Sequence, residues 1–135
     1  MIIGVGTDIL DIRRVKKILD KYERKFLDRI YGKNEILNLE GKLNVSENYF
    51  AKRFAAKEAT WKALSPNRGE GIFFREIEIL NDKEGKPHLF FTGKTKIYIE
   101  KKEKILKAQL KFDISLSDDH PYVIAFVVIS LAPYV

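Results

Sequence analysis

The sequence predicts an α+β fold in which an antiparallel sheet packs against one long central helix. Residues 50–64 are rich in alanine and in long unbranched side chains, contain no Gly or Pro, and are followed by Pro66, as is typical of a helix. Residues 2–10 alternate and are rich in Ile and Val, which indicates a strand. Residues 108–116 and 122–131 are two further strands, and the short segment between them predicts an antiparallel hairpin.

Composition predicts one globular domain over residues 1–135, with 45% hydrophobic and 33% charged residues. There are no cysteines and only two histidines, far apart in sequence, which excludes disulfides and argues against a zinc site. If a metal binds, oxygen ligands and a hard ion such as Mg²⁺ are favoured. The net charge of +6 indicates an anionic partner, which could be a nucleic acid, an acidic protein or a phosphorylated small molecule.

The chain starts without a basic leader followed by a long apolar core, and no apolar run approaches the roughly 20 residues that span a bilayer. We therefore expect a cytoplasmic protein with no membrane partner.

The segment after the first strand is predicted to be one basic amphipathic helix over residues 11–26, with an apolar stripe that includes Val15 and Tyr22. Residues 27–44 read as short helical pieces broken at Gly32 and Gly41, to which we assign no chemistry.

The second half of the chain contains more strands and one more helix. After a loop at 66–71 the predicted elements are a strand at 73–80, a turn at 81–87, a strand at 88–92, a helix at 93–107, and a hairpin turn at 117–121. The last strand, 122–131, is apolar on both faces. It is therefore expected to be buried on both sides, within the sheet or against a neighbouring subunit.

The central helix carries a candidate site. On a helical wheel Phe50, Phe54 and Trp61 share an apolar face. Glu58 falls within that apolar arc. Because the helix is expected to be buried on two sides, Glu58 is expected to be partly enclosed. An enclosed carboxylate must be paired or bound to a cation. Two interpretations stay open: an ion pair with Lys62 one turn later, or a metal or phosphate site that needs a second carboxylate.

The first strand offers that carboxylate. Gly4, Gly6 and Asp8 point to the same face, where two glycines leave room for another group to approach the backbone. The alternative is that Asp8 only begins a turn.

Three motifs give the chain a family resemblance. Gly-Val-Gly-Thr-Asp at residues 4–8, Arg-Phe-Ala-Ala-Lys-Glu-Ala-Thr-Trp-Lys-Ala at 53–63, and Ser-Leu-Ser-Asp at 115–118 followed by Tyr-Val-Ile-Ala-Phe-Val-Val at 122–128 resemble the holo-[acyl-carrier-protein] synthase family. This is the short, single-domain type of 4′-phosphopantetheinyl transferase, and the resemblance covers nearly the whole chain.

The resemblance implies an α+β homotrimer with active sites between subunits. Such an enzyme transfers the phosphopantetheine arm of coenzyme A to a serine of the apo acyl carrier protein, releases adenosine 3′,5′-bisphosphate, and activates the carrier for fatty acid biosynthesis.

Residue roles follow from the matching positions. Asp8 and Glu58 would bind Mg²⁺, and Glu58 and Lys62 would be catalytic, with Lys62 at the reacting phosphate. The implied coenzyme A ligands are Arg53, Lys62, Gly85, Lys86 and Pro87. The implied docking residues for the acidic carrier are Arg13, Arg14, Lys17 and Lys21.

One departure affects the end of the penultimate strand. Where many family members have Ser-His, this chain has Ser117-Asp118, and His120 follows two positions later. We transfer no coenzyme A contact to His120. The acceptor of the carrier serine's proton stays open between water at the metal, Glu58 and Asp118.

Two alternatives to the transferase are weaker matches to this sequence. A small basic nucleic-acid-binding module is compatible with the +6 charge and with nine Phe, six Tyr and one Trp, although the chain has no nucleic-acid-binding signature and the central aromatics share an apolar face. A non-catalytic member of the fold is disfavoured because both carboxylates are present.

Overall fold

Five strands and five α-helices follow one another along the chain in the computed structural model, which describes residues 1–38 and 46–134. They are β1 Ile2–Asp11, α1 Ile12–Tyr22, α2 Arg24–Ile30, α3 Lys33–Leu37, α4 Ser46–Leu64, β2 Ile77–Asn81, β3 Pro87–Phe91, α5 Gly93–Leu106, β4 Gln109–Asp119 and β5 Tyr122–Ala132. The strands form an antiparallel sheet of order β1-β5-β4 and a separate β2-β3 hairpin. The predicted α+β fold with a long central helix is confirmed.

Two glycines of β1 allow α4 to lie directly on the sheet. A Cβ atom at Gly4 would stand 2.1 Å from the carbonyl oxygen of Ala63, and one at Gly6 would stand 1.9 Å from that of Ala59. Any side chain at these positions would therefore push the strand away from the helix. Asp8, the next residue on the same strand face, is carried towards α4 by this close approach.

The core lies between α4 and the inner face of β5. Residues on that face are at most 1% exposed, namely Val123, Ala125, Val127 and Ile129, and they meet the buried alanines of α4. The predicted burial of β5 is correct for this face.

The outer face of the same sheet is apolar and uncovered within one chain. Ile124 and Phe126 are each 44% exposed, and their β1 partners in the register are Ile9 and Thr7. The sheet thus contributes one face to the core, and the prediction that β5 is buried on both sides within the sheet is wrong for this outer face. Burial of the outer face against a neighbouring subunit stays a prediction.

The predicted helix over 11–26 is wrong in one respect. Glu23 has φ of 40° and separates α1 from α2, a conformation that L-residues rarely adopt. Its N–H donates to the carbonyl of Leu19, and its carbonyl accepts from the N–H of Leu27, so the chain changes direction without losing these hydrogen bonds. Tyr22 is consequently exposed rather than part of the apolar stripe.

Two other predicted boundaries were wrong. The strand expected at 73–80 begins with a 3₁₀ turn at Phe74–Glu76, and pairing with β3 starts only at Ile77. The hairpin turn expected at 117–121 is shorter, because β4 and β5 stay paired as far as Asp119 and Tyr122. The helix break predicted at Gly41 lies outside the described residues.

Trp61, which was predicted to lie on the apolar face of the central helix, is 43% exposed. In the two described ranges, no helix is both long and apolar enough to cross a membrane.

Candidate active site

Three charged side chains meet where β1 lies on α4. The Nζ atom of Lys62 donates a hydrogen bond to the carbonyl of Thr7 at 3.0 Å and lies 3.2 Å from Oδ1 of Asp8. Glu58 precedes Lys62 by one turn of α4. No ion pair joins Glu58 to Lys62 among the residues that the structure describes, so the intrahelical pair considered from the sequence does not form. Lys62 binds the strand instead.

The electrostatics of this cluster leave negative charge uncompensated. The pKa of Glu58 is raised above its ordinary value, first because the side chain is half-buried and then because the negative charge of Asp8 acts on it, whereas Lys62 works in the opposite direction. The predicted partial enclosure of Glu58 is confirmed. Two carboxylates share one ammonium, and the side chains of Asp8 and Lys62 are 17% and 48% exposed.

The donor set of the cluster fits a hard divalent cation. Both acids offer oxygen ligands, and mutual repulsion between them is relieved by a cation. Within residues 1–38 and 46–134 no group of three or more His, Cys, Asp or Glu side chains could hold a metal. The chain would therefore supply two carboxylates and leave other coordination positions to phosphate oxygens and water, which is how Mg²⁺ is usually bound.

Arg53 belongs to a second group on another side of α4. It precedes Glu58 by five positions, a rotation of about 140° around the helix axis. Its side chain is only 4% exposed; Nε donates to the carbonyl of Ile79 at 3.2 Å, and the guanidinium stacks on the ring of Tyr49 at 3.6 Å. A longer hydrogen bond of 3.4 Å reaches Oδ1 of Asn81. Burial lowers the pKa of Arg53. Arg53 thus anchors the end of β2 to α4.

The turn that contains Gly85, Lys86 and Pro87 comes directly after β2, the strand that Arg53 anchors. Oδ1 of Asp82 accepts hydrogen bonds from the N–H groups of Glu84 and Lys86, each at 2.9 Å, and Gly85 adopts a φ of 85° that favours glycine. Oδ2 of Asp82 lies 2.9 Å from Nε2 of His88. Asp82 and His88 were not predicted from the sequence as site residues.

The predicted site residues therefore form two groups in one chain. Asp8, Glu58 and Lys62 are brought together, whereas Arg53 and the 85–87 turn are associated with β2. No hydrogen bond or ion pair connects the two groups within the described part of the chain.

The predicted docking residues lie on α1, directly after β1. Arg13, Arg14, Lys17 and Lys21 are all exposed. Arg13 is bound to Asp11, with Nη2 at 2.6 Å from Oδ2. This hydrogen bond lowers the pKa of Asp11 to about 2. Asp11 also caps α1 by accepting from the backbone N–H of Arg13 at 2.9 Å, so Arg13 is partly neutralised while α1 still presents a basic surface.

Asp118 is engaged by α4. Its carboxylate accepts from Nδ2 of Asn48 at 3.0 Å and lies 3.3 Å from Nζ of Lys52. The hydrogen bond from Asn48, followed by contact with Lys52, lowers the pKa of Asp118. An already paired carboxylate with a lowered pKa is a weaker proton acceptor than Glu58.

A buried ion pair went unrecognised in the sequence. Nζ of Lys57 lies 2.6 Å from Oε1 of Glu35, and both side chains are 0% exposed. Lys57 also donates to the carbonyls of Phe74, at 2.9 Å, and Ile77. The view that residues 27–44 carry no chemistry of interest was therefore incomplete, since Glu35 joins α3 to α4 and β2. The signal was present: Lys57 shares a side of the helical wheel with Phe50 and Phe54.

Known protein sequences match this chain over nearly its full length. A family profile described as the 4′-phosphopantetheinyl transferase superfamily matches residues 4–127. A holo-[acyl-carrier-protein] synthase of Wolbachia pipientis is 48% identical over 132 residues, covering 96% of this chain and 98% of that protein.

Solved structures show the same similarity. The crystal structure of holo-[acyl-carrier-protein] synthase from Neisseria meningitidis has a TM-score of 0.83 and 36% identity, with 96% of this chain and 99% of that chain covered. The corresponding protein from Bacillus anthracis, solved in complex with CoA (3′,5′-ADP), has a TM-score of 0.75 and 32% identity, with 96% of each chain covered.

Proposed function

This chain belongs to the 4′-phosphopantetheinyl transferase superfamily, and within it to the holo-[acyl-carrier-protein] synthases; from that premise we propose how its residues perform the reaction. The enzyme transfers the 4′-phosphopantetheine group of coenzyme A to a serine of apo acyl carrier protein and releases adenosine 3′,5′-bisphosphate. The serine oxygen forms a bond to the phosphorus next to pantetheine, the pyrophosphate P–O bond breaks, and the serine proton passes to a base.

The observation that carries the residue assignment is the convergence of Asp8, Glu58 and Lys62. We assign Asp8 and Glu58 as the protein ligands of Mg²⁺. When bound, this ion would neutralise phosphoryl oxygens and orient the pyrophosphate. The proposal is supported by the oxygen-only donor set and by the raised pKa of Glu58, which results first from burial and then from the nearby negative charge of Asp8.

Lys62 and Glu58 have distinct chemical roles. Lys62 is a compact cation held by Thr7 and Asp8, and from there it stabilises negative charge on the leaving phosphate. We assign Glu58 rather than Asp118 as the acceptor of the serine proton, directly or through one water, because Asp118 is already paired with Asn48 and Lys52.

The second group holds the nucleotide part of coenzyme A. Arg53 fixes the end of β2, and Asp82 fixes the turn that presents Gly85, Lys86 and Pro87. Because this group lies apart from Glu58 in one chain, we propose that the complete site forms between subunits of a homotrimer. The open apolar face that includes Ile9, Ile124 and Phe126 supports such an assembly.

The remaining assignments are also proposals. We assign Arg13, Arg14, Lys17 and Lys21 to docking of the acidic carrier, which the net charge of +6 would attract. We place the enzyme in the cytoplasm, in fatty acid biosynthesis, with residues 1–135 as a single transferase domain.

The decisive experiment mixes the protein with coenzyme A, Mg²⁺ and apo carrier protein and determines the mass of the carrier. The carrier is expected to gain one phosphopantetheine group, and omission of coenzyme A or addition of a chelator should prevent the gain. An unchanged carrier mass in the complete mixture would reject the function. Salt-dependent binding to nucleic acid, tighter than binding to coenzyme A, would then favour the basic-module alternative.

A further inference from the structure

Trp61 is a large apolar side chain that the core of the fold does not use. It is 43% exposed, whereas Phe50, on the same side of α4, is 3% exposed. Phe54 packs against the core, but Trp61 is not among the side chains that do so in the described part of the chain. Its ring also takes part in none of the aromatic pairs found there. Packing within one chain therefore does not explain a tryptophan at this position.

Trp61 lies next to the candidate active site on the surface of α4. It follows Glu58 by three positions and directly precedes Lys62, so Trp61 and Glu58 are neighbours on the helix surface. Relative to Glu58, Lys62 is rotated by about 40° in one direction and Trp61 by about 60° in the other. A long helical side chain extends over the turn before its own Cα atom. The indole of Trp61 therefore covers the helix surface beside Glu58.

Glu58 thus separates a charged flank of the site from an apolar flank. On the charged flank, Nζ of Lys62 contacts Thr7 and Asp8 of β1. On the other flank, the indole offers an uncharged ring and one N–H donor. The nearest cation on that side of α4 is Lys57, which is completely buried and bound to Glu35. The exposed surface beside the indole therefore lacks the positive charge that an anionic group would need.

Coenzyme A is divided in the same way at the phosphorus that the carrier serine attacks. On one side of this phosphorus are the second phosphate and the anionic nucleotide, which form the leaving group. On the other side, one oxygen and one methylene carbon lead to a carbon with two methyl groups, followed by a hydroxyl group and two amides. This pantetheine arm is uncharged. Its methyl groups favour an apolar surface, and an amide carbonyl can accept a hydrogen bond from an indole N–H.

We propose that Trp61 is a substrate-binding residue whose indole contacts the two methyl groups of the pantetheine arm and thereby contributes to the selection of coenzyme A. The proposal rests on the proposed function, because it takes the reacting phosphorus to lie at Glu58 and Lys62. With Lys62 at the leaving phosphate, the uncharged arm extends towards the opposite flank, where Trp61 lies. Three other occupants of this surface are outcomes of the test: the adenine ring, the carrier protein and a neighbouring subunit.

Fluorescence of the wild-type protein is the first test, because Trp61 is the only tryptophan of the chain. The ligand-free protein should show the emission of an exposed indole. Coenzyme A with Mg²⁺, in the absence of carrier, should shift this emission to shorter wavelength, whereas adenosine 3′,5′-bisphosphate, which lacks the arm, should not. An equal shift with the bisphosphate, a shift with carrier alone, or the emission of a buried indole before any addition would overturn the proposal.

A coenzyme A analogue that lacks both methyl groups provides the second test. Wild-type protein should use this analogue with a kcat/KM about tenfold lower than that for coenzyme A, as expected for the loss of two buried methyl groups. The variant Trp61→Ala should lower kcat/KM for coenzyme A by about tenfold and should use the two substrates equally within about twofold, because the coupled contact is absent. Wild-type discrimination between the two substrates in Trp61→Ala would overturn the proposal.

Matched variants separate contact with the arm from a general effect. Trp61→Phe keeps an aromatic ring and should retain most of the discrimination, and Ile105→Ala, which truncates an 81% exposed apolar side chain on α5, should behave as wild type. Inhibition by adenosine 3′,5′-bisphosphate should be unchanged in Trp61→Ala, and an equal loss of inhibition and of kcat/KM would overturn the proposal.

The two tests on wild-type protein decide the proposal even if Trp61→Ala does not fold. Equal use of coenzyme A and the methyl-free analogue by wild-type protein would overturn it. Failure of the proposed function is distinguishable, because wild-type protein would then transfer nothing to the carrier, whereas failure of this proposal leaves transfer intact.

Discussion

Lys57 and Glu58 are adjacent in the sequence but belong to two different kinds of charged cluster on α4. Lys57 and Glu35 are completely buried, and Glu35 also accepts from the N–H groups of Gly32 at 2.9 Å and Ile79 at 3.1 Å. Glu58 is half-buried, and no residue of the described ranges donates a hydrogen bond to its carboxylate. One cluster is saturated with partners, and the other is deficient in positive charge.

The direction of the pKa shift does not separate these two roles. Burial raises the pKa of Glu35 as it raises that of Glu58. The two carboxylates differ in their partners. Glu35 has one cation and two backbone N–H donors inside the protein, whereas Glu58 lies near the negative charge of Asp8 and shares the positive charge of Lys62 with it. Removing one partner from a saturated buried pair destabilises the fold, because the other charge is left buried and uncompensated, whereas an unsaturated, accessible charge is free to bind a cation or a proton.

The largest expected effect concerns the unsaturated cluster. Glu58→Gln and Asp8→Asn should each lower the rate of transfer by about 10³-fold or more, because each removes charge at the reacting phosphates with little change in volume. Circular dichroism should show an intact fold in both. Retained transfer in either variant would contradict the assignment of that carboxylate.

The saturated cluster should respond to mutation in stability instead. Lys57→Met leaves Glu35 buried without its cation, and the free energy of unfolding should fall by about 3–5 kcal/mol. Lys57→Met/Glu35→Gln should recover part of this loss, because the unpaired charge is removed. Chemical denaturation of the two variants is the measurement, and an unchanged stability of Lys57→Met would show that the pair does not hold α3 and β2 on α4.

A smaller effect is expected for the lysine of the unsaturated cluster. Lys62→Ala should lower kcat by about 10²-fold, as expected for loss of one charge-stabilising group, while the free energy of unfolding changes little because Lys62 is largely exposed. Steady-state kinetics compared with Lys104→Ala, an exposed lysine of α5, separates loss of this group from a general change of charge. Equal rates for the two variants would remove Lys62 from the mechanism.

The smallest effect is a pH dependence of stability. Because the pKa of Glu58 is raised in the folded chain, its contribution to stability is fully present below the ordinary pKa of 4.5 and is lost as pH rises through the folded value. The substitution Glu58→Gln removes this pH-dependent loss of stability. Without metal, the variant should be more stable than wild type at pH 7 by less than about 1 kcal/mol, after allowance for solvent screening.

Thermal melts across pH check this expectation. The stability difference between Glu58→Gln and wild type should vanish below pH 4.5, where the ordinary carboxyl group is protonated. A difference that grows towards low pH would have the wrong sign for a carboxylate with a raised pKa.

Local patterns predicted most of the fold because its elements have strong sequence signals. The alternation in β1, the alanine-rich α4 and the doubly apolar β5 all formed where expected. The break at Glu23 could not be predicted, because its φ of 40° is set by tertiary packing rather than by a glycine. The hairpin turn was predicted too long because Asp118, polar in sequence, extends β4 and is held there by Asn48 and Lys52.

The site was predictable to the extent that it depends on β1 and α4. The glycine face of β1 and the position of Glu58 on the helical wheel were both visible in the sequence, and together they bring Asp8 towards Lys62. The pairing of Lys57 with Glu35 depends on how α3 docks, which no local pattern encodes. The role of Arg53 as an anchor of β2 is likewise a tertiary feature.

The most direct test is a titration of Mn²⁺, a paramagnetic substitute for Mg²⁺, followed by electron paramagnetic resonance with wild-type protein, Asp8→Asn, Glu58→Gln and the exposed control Glu100→Gln. One ion per active site should bind to the wild type and the control, and binding should be lost or strongly weakened in both active-site variants. Wild-type affinity in either Asp8→Asn or Glu58→Gln would show that the two carboxylates do not share one cation, and the proposed mechanism would be wrong.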